Sequence, residues 1–128
     1  MATATGTFEV DLEPAAAFEE APAVGRMLIR KRFAGPLTAT SRGQMLAVHA
    51  AVKGSAAYVA LEVVEGSLDG RQGSFALAHL GTMRAGDGAL TVTVVPDSGT
   101  GSLEGVTGTM TIDIKDGVHH YAFDYALP

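Results

Sequence analysis

The chain has 128 residues, a formal net charge of −5 and no cysteine, and nearly half of its residues are hydrophobic. That length and apolar content build one domain, residues 1–128, with a core of its own, and no apolar run approaches the ~20 residues of a membrane span. The lack of cysteine excludes a disulfide framework and thiolate chemistry, and the acidic balance argues against a nucleic-acid partner.

The opening MATATGTFEV has neither a basic n-region nor an apolar h-region. No signal peptide is expected, and the cytoplasm is the expected compartment. Thr3 to Asp11 alternates polar residues with Phe8 and Val10, which predicts a first strand with one wet face. Residues 13–23 hold Pro14, Pro22 and several alanines, and predict a loop with one helical turn around Ala15 to Glu20. Val24 to Phe33 predicts a second strand, ended by Gly35-Pro36. Its basic run Arg30, Lys31, Arg32 points to both faces and makes no single patch. A third strand is predicted over Gln44 to Val52, with Met45, Ala47 and His49 on one side. Lys53-Gly54-Ser55 turns into a fourth over Tyr58 to Val64, and a fifth comes after it over Ser74 to Met83. Asp87-Gly88 signals a turn of the primed type before a sixth strand, Leu90 to Val95. Val106 to Lys115 and His119 to Leu127 predict the last two strands, joined by Asp116-Gly117.

These strands are consecutive, their connections are short, and no amphipathic helix exists for a βαβ crossover. With few helices to cover edges, about eight such strands close most naturally into an antiparallel barrel. One phrase occurs twice: GSLDGRQGSF at 66–75 and GSLEGVTGTM at 101–110. Its acid-Gly pair suits a turn, and the later glycine permits a bulge or close backbone approach. Gly35-Pro36-Leu37, with Gly43 downstream, is a weaker third echo. The same hairpin corner is therefore expected three times. In this alignment Glu62 matches Asp97, His79 matches Ile114 and Arg71 matches Val106.

The run GSLDGRQGSFALAHLGTM, the phrase VVPDSGTGSLEGVTGTM and the closing YAFDY resemble the bacterial family called domain of unknown function 3224. ATGTFEV and RMLIRKRFAG fit the likeness, which spans nearly the whole chain. The resemblance implies a single closed antiparallel barrel similar to that of allene oxide cyclase. Members of that wider fold hold apolar small molecules, and some steer cyclisations without a cofactor. No catalytic motif of those enzymes maps onto this chain residue by residue. Asp97 stands where the family phrase is expected to read glycine, which argues against a catalytic Asp97.

Glu62 is the carboxylate of an apolar strand, and burying it requires a partner or a proton. One reading is a structural pair with Arg71 in the hairpin. Another is a general acid/base with raised pKa, or a ligand-orienting group, and the last is an exposed Glu62. His79 shares a face with Phe75 and Leu77, and imidazole shuttles protons near neutral pH without a metal. His49 is the other candidate inward histidine. His119 and His120 point opposite ways and suit no shared metal, and no other metal-ligand spacing occurs. Tyr121, Phe123 and Tyr125 alternate on one face of the last strand, as core or as cavity lining. Ser98-Gly99-Thr100-Gly101 lacks the lysine and helix of a phosphate loop, and no G-x-S-x-G elbow is present.

The leading expectation is a barrel that binds a small apolar molecule, walled by Tyr58, Glu62, Phe75, Leu77, His79, His49, Tyr121 and Tyr125. The second is a cofactor-free isomerase or cyclase with Glu62 or His79 as acid/base and Arg71 holding charge. The third is a structural or assembly protein without a ligand. No cofactor, metal, nucleic acid or membrane partner is expected. Strands apolar on both faces, together with the fold likeness, predict a homo-oligomer.

Overall fold

Alternating residues make strands along almost the whole chain in the computed structural model, which describes residues 1–128. They are β1 (Ala2–Ala15), β2 (Gly25–Ala34), β3 (Leu37–His49), β4 (Ala56–Leu68), β5 (Arg71–Arg84), β6 (Asp87–Val94), β7 (Thr100–Gly101), β8 (Thr107–Lys115) and β9 (Val118–Ala126). All pairings are antiparallel, in the order β4-β3-β2-β1-β9-β8-β6-β5, and β4 pairs with β5 to close the barrel. The two-residue β7 adds outside the closed set, on β5. The structure contains no helix, and so none long and apolar enough to cross a membrane.

Three local expectations change. β1 continues to Ala15 and no helical turn forms after it, because Glu13 and Pro14 still pair with Leu28 and Met27 of β2. The third strand starts at Leu37, seven residues earlier than expected, and ends at His49. Its polar start, Leu37 to Gly43, still alternates buried and exposed positions. The turn expected at Asp87-Gly88 falls at Ala85-Gly86, with φ of 48° and 96°. Cross-strand pairing of Arg84 with Asp87 sets that position and draws Asp87 into β6.

The repeated phrase also takes two shapes. The first copy is a hairpin, with Asp69 at φ 48° and Gly70 at φ 82° between paired Leu68 and Arg71. Both positive φ values fit the primed turn that matches strand twist. The second copy is a rolling turn: Leu103 N–H donates to Thr100 O, Glu104 N–H to Gly101 O and Val106 N–H to Leu103 O. Pro96 precedes it and lacks the N–H needed to carry β6 onward, so only the two-residue β7, and not a long strand, leads into this copy. The two copies share their leucine. Leu68 and Leu103 are fully buried, and Leu37 of the third echo joins them.

Those leucines close one end of the barrel. They belong to a cluster of 17 buried residues that includes Phe8, Phe33, Val64, Phe75, Tyr121 and Phe123. The Phe75 and Phe123 rings stack at 5.5 Å, and Phe33 meets Tyr121 edge-on at 5.7 Å. Two buried apolar residues, Ile29 and Ala60, stand outside this cluster. Between them and the closed end lies a layer of polar side chains.

Candidate functional site

The polar layer is made by one inward residue from each of four neighbouring strands. Alternation on β2 turns Lys31 inward with Ile29 and Phe33, while Arg30 and Arg32 face solvent. Register then sets Lys31 beside Ser41 of β3, and Gly43 beside Glu62 of β4. On β5, His79 pairs with Ala60. The side chains converge on one carboxylate. Lys31 Nζ donates to Glu62 Oε1 at 2.9 Å, Ser41 Oγ donates to Oε2 at 2.6 Å, and His79 Nε2 lies 2.8 Å from Oε1. Glu62 is 1% exposed, and Lys31, Ser41 and His79 are buried with it.

Electrostatics follow from this arrangement. Burial by itself pushes the Glu62 carboxyl up. The His79 hydrogen bond, the Lys31 charge and the Ser41 and Lys31 hydrogen bonds together outweigh it and bring the pKa down to about 2. The general acid with a raised pKa that an isolated carboxyl would have made is therefore not what forms. Glu62 is an ionised anchor. The Lys31 ammonium also lies 5.0 Å from the Phe8 ring centroid and 5.9 Å from that of Phe33, whose faces favour a cation.

His79 is held by one nitrogen only. Nε2 is bound to Glu62, and Nδ1 has no hydrogen-bond partner in the protein. No sealed side-chain nitrogen or oxygen lacks a partner, so Nδ1, on a side chain only 5% exposed, is not fully enclosed. It is the one nitrogen of that imidazole without a partner in the protein.

Toward the open end, the next inward layer is Ile29, Gly43, Ala60 and Gly81, and the one beyond is Met27, Met45, Tyr58 and Met83. Burial falls along this path: Ile29 and Ala60 are buried, Met27, Met45 and Tyr58 half-buried, and Met83 exposed. Tyr58 leans over Gly81, where a Cβ would come 2.2 Å from its ring. Its hydroxyl pKa is raised by burial and by the Glu62 charge. Nearby, where β9 begins against β1, a cleft of about 630 Å³ is walled by Phe8, Val10, Phe33, Val118 and His119. It reaches the two rings that flank Lys31.

The sequence candidates separate into three groups. Glu62, His79 and Tyr58 gather at or above the polar layer. Phe75, Leu77, Tyr121 and Tyr125 point inward but lie in the packed closed half, with both hydroxyls engaged. Tyr121 Oη donates to Ala34 O and Leu37 O and accepts from Leu37 N–H, and Tyr125 Oη donates to Asp69. Arg71 and His49 fall away from the site. Arg71 is exposed beside the hairpin turn, six ladder positions from Glu62, and the expected Glu62–Arg71 pair does not form. His49 has inward parity but sits exposed at the strand end, where the barrel no longer encloses it. Asp97 is exposed in a turn at φ 61°, with no equivalence to buried Glu62. Sequence reasoning missed Lys31 and Ser41. The available signal for Lys31 was its place midway between Ile29 and Phe33, which puts a cation on the apolar face of β2.

The chain matches the family model described as "Protein of unknown function (DUF3224)" over residues 4–125. It is similar to a crystal structure of a protein with unknown function from that family, from Shewanella oneidensis MR-1. That likeness has 48% sequence identity and a TM-score of 0.95, and covers 100% of this chain and 98% of the other. No curated protein matches the chain. With nearly every residue inside the family match and the whole barrel shared, the chain belongs to the DUF3224 family.

Proposed function

We propose that the open half of the barrel binds a small, largely apolar molecule that presents one hydrogen-bonding group to His79. The observation that carries this reading is the free Nδ1 of an imidazole whose other nitrogen is fixed by a buried carboxylate. A mostly apolar surround with a few oriented polar groups is the usual make-up of a ligand pocket. Met27, Met45 and Met83 suit this role, because flexible thioether side chains repack around varied apolar shapes. Above the polar groups, Tyr58 takes the space over Gly81 and Glu62 the space beside Gly43, so a ligand would enter past Tyr58 and the methionines. The test is native mass spectrometry of protein purified from its host, paired with a thermal-shift screen of apolar metabolites. The reading expects a retained mass, or a rise in Tm, that His79→Leu removes. A bare chain and an unmoved Tm across the screen would sink it.

A second reading has one observation in its favour. The 2.8 Å contact between His79 and Glu62 is the geometry by which a carboxylate orients an imidazole for proton transfer. In a cofactor-free isomerase, His79 would move the proton and Glu62, held ionised, would orient it. Turnover of any ligand found in the first experiment, lost in both His79→Leu and Glu62→Gln, distinguishes catalysis from binding alone.

A further inference from the structure

We infer that two copies of this chain pair through the outer face of β3, β4 and β5. Outward residues there form a grid set by the strand register. Leu46, Val59 and Leu80 make one row, Gln44, Leu61 and Ala78 the next, and Arg42, Val63 and Ala76 the third. Val48, Ala57 and Thr82 extend it at the open end. The six large aliphatic residues, Leu46, Val48, Val59, Leu61, Val63 and Leu80, are 41% to 62% exposed. They are contiguous, and scattered surface leucines or valines are not.

The outer face of β1 and β2, which continues from β3, has a different character. On β1 and β2 the outward residues are threonines and charged groups with one leucine, Leu28, and Arg30 pairs with Glu13 and Arg32 with Glu9. Exposed apolar residues elsewhere, such as Leu12 and Ile114, stand toward the ends of their strands, and the contiguous grid is confined to β3, β4 and β5. A standard interface takes about 800 Å² from each partner, so the alanine and threonine neighbours of the grid are buried with it.

Charge selects a second copy as the occupant. Although the chain carries −5 overall, the closed-end margin of this face holds one charge of each sign, Arg42 and Glu65, and Arg84 at the open end stands opposite Asp87 of β6. Arg42 and Glu65 are diagonal neighbours on β3 and β4, since Arg42 pairs with Val63 and Thr40 with Glu65. Neither forms an ion pair within the chain, whose ion pairs involve other residues. A two-fold axis beside Val63 brings Arg42 of each copy to Glu65 of the other and buries Leu61 and Val63 of both. A neutral, self-complementary patch is what an isologous contact requires.

The experiment is sedimentation velocity on the purified chain at micromolar concentration. The wild type is expected at twice the 13.1 kDa chain mass. Leu61→Glu is expected to run at the chain mass with an unchanged far-UV spectrum, because a side chain this exposed is not needed for folding. Thr111→Glu, on the outer face of β8, should leave the dimer intact. Arg42→Glu should weaken pairing at least tenfold, and the swap Arg42→Glu with Glu65→Arg should restore it. A wild type at 13.1 kDa overturns the proposal and leaves the face to a partner of other chemistry. A dimer that survives Leu61→Glu overturns it equally. Failure of the charge swap to restore pairing removes the two-fold geometry that joins Arg42 to Glu65.

Discussion

Glu62 fills the space that a side chain at position 43 would need. A Cβ on Gly43 would come 2.7 Å from both Cα and Cβ of Glu62, and 2.1 Å from the carbonyl oxygen of Leu61. The missing side chain lets β3 and β4 approach where the carboxylate crosses toward Lys31 and His79. Gly43→Ala should therefore force the two backbones apart and cost about 2–4 kcal/mol, since backbone atoms cannot yield as a flexible side chain can. Urea denaturation measures it. A loss well under about 1 kcal/mol would show that the close approach is not required.

Removing the carboxylate should cost far more than removing the whole charge cluster. Glu62→Ala leaves the Lys31 ammonium buried without its anion, and breaking such a pair typically costs about 3–5 kcal/mol. Lys31→Met combined with Glu62→Leu removes both charges and should recover most of that loss. A double variant no better than Glu62→Ala would mean that Lys31 does not need Glu62.

Acid should unfold the wild type in part through Glu62. Its folded pKa, about 2, lies below the ordinary 4.5, so the carboxylate adds stability that is fully present above the ordinary value. That contribution shrinks as pH falls from the ordinary value toward about 2, where the folded group itself takes a proton. Glu62→Gln cannot titrate, so its stability should fall less over this range. Denaturation midpoints measured from about pH 6 down to about pH 2 check this, and parallel curves for the two proteins contradict it.

Tyr121 is the clamp between the last strand and the β2–β3 connection. Its hydroxyl accepts from Leu37 N–H at 3.1 Å and donates to Ala34 O at 3.0 Å. Tyr121→Phe keeps the ring packing on Phe33 but leaves the Leu37 amide buried without this acceptor. The expected loss is about 1–3 kcal/mol, read as a lower Tm with no change in ligand response. A variant as stable as the wild type would show that water or a shift of the turn replaces the hydroxyl.

The repeated phrase marks how far local pattern reaches. Leu68 and Leu103 could be matched by reading the chain alone, and both do seal the same barrel end. Their turns could not be matched, because the chain enters the two copies differently. β4 runs straight into Asp69-Gly70, while Pro96 stops β6 before the second copy begins. The relation of His79 to Ile114 fails for a similar reason. His79 sits in the barrel's middle, and Ile114 lies near the exposed tip of the β8–β9 hairpin, 61% exposed.

Alternation, glycine turns and the absence of helical periodicity were enough to establish an all-β antiparallel barrel, since each is a local property of backbone and side-chain spacing. The inward face of β4 was not legible in this way. Val59, Leu61 and Val63 form the more apolar side, and a rule that buries the apolar face would have turned them inward and Glu62 out. The opposite occurs because Lys31, Ser41 and His79, from β2, β3 and β5, surround Glu62 with hydrogen-bonding groups. Only register between strands distant in sequence brings those groups together. Sequence nearness favoured Arg71 as the counter-ion, but an antiparallel ladder carries a hairpin-turn residue far along the strand from Glu62, while Lys31 arrives two strands away at the same level of the barrel.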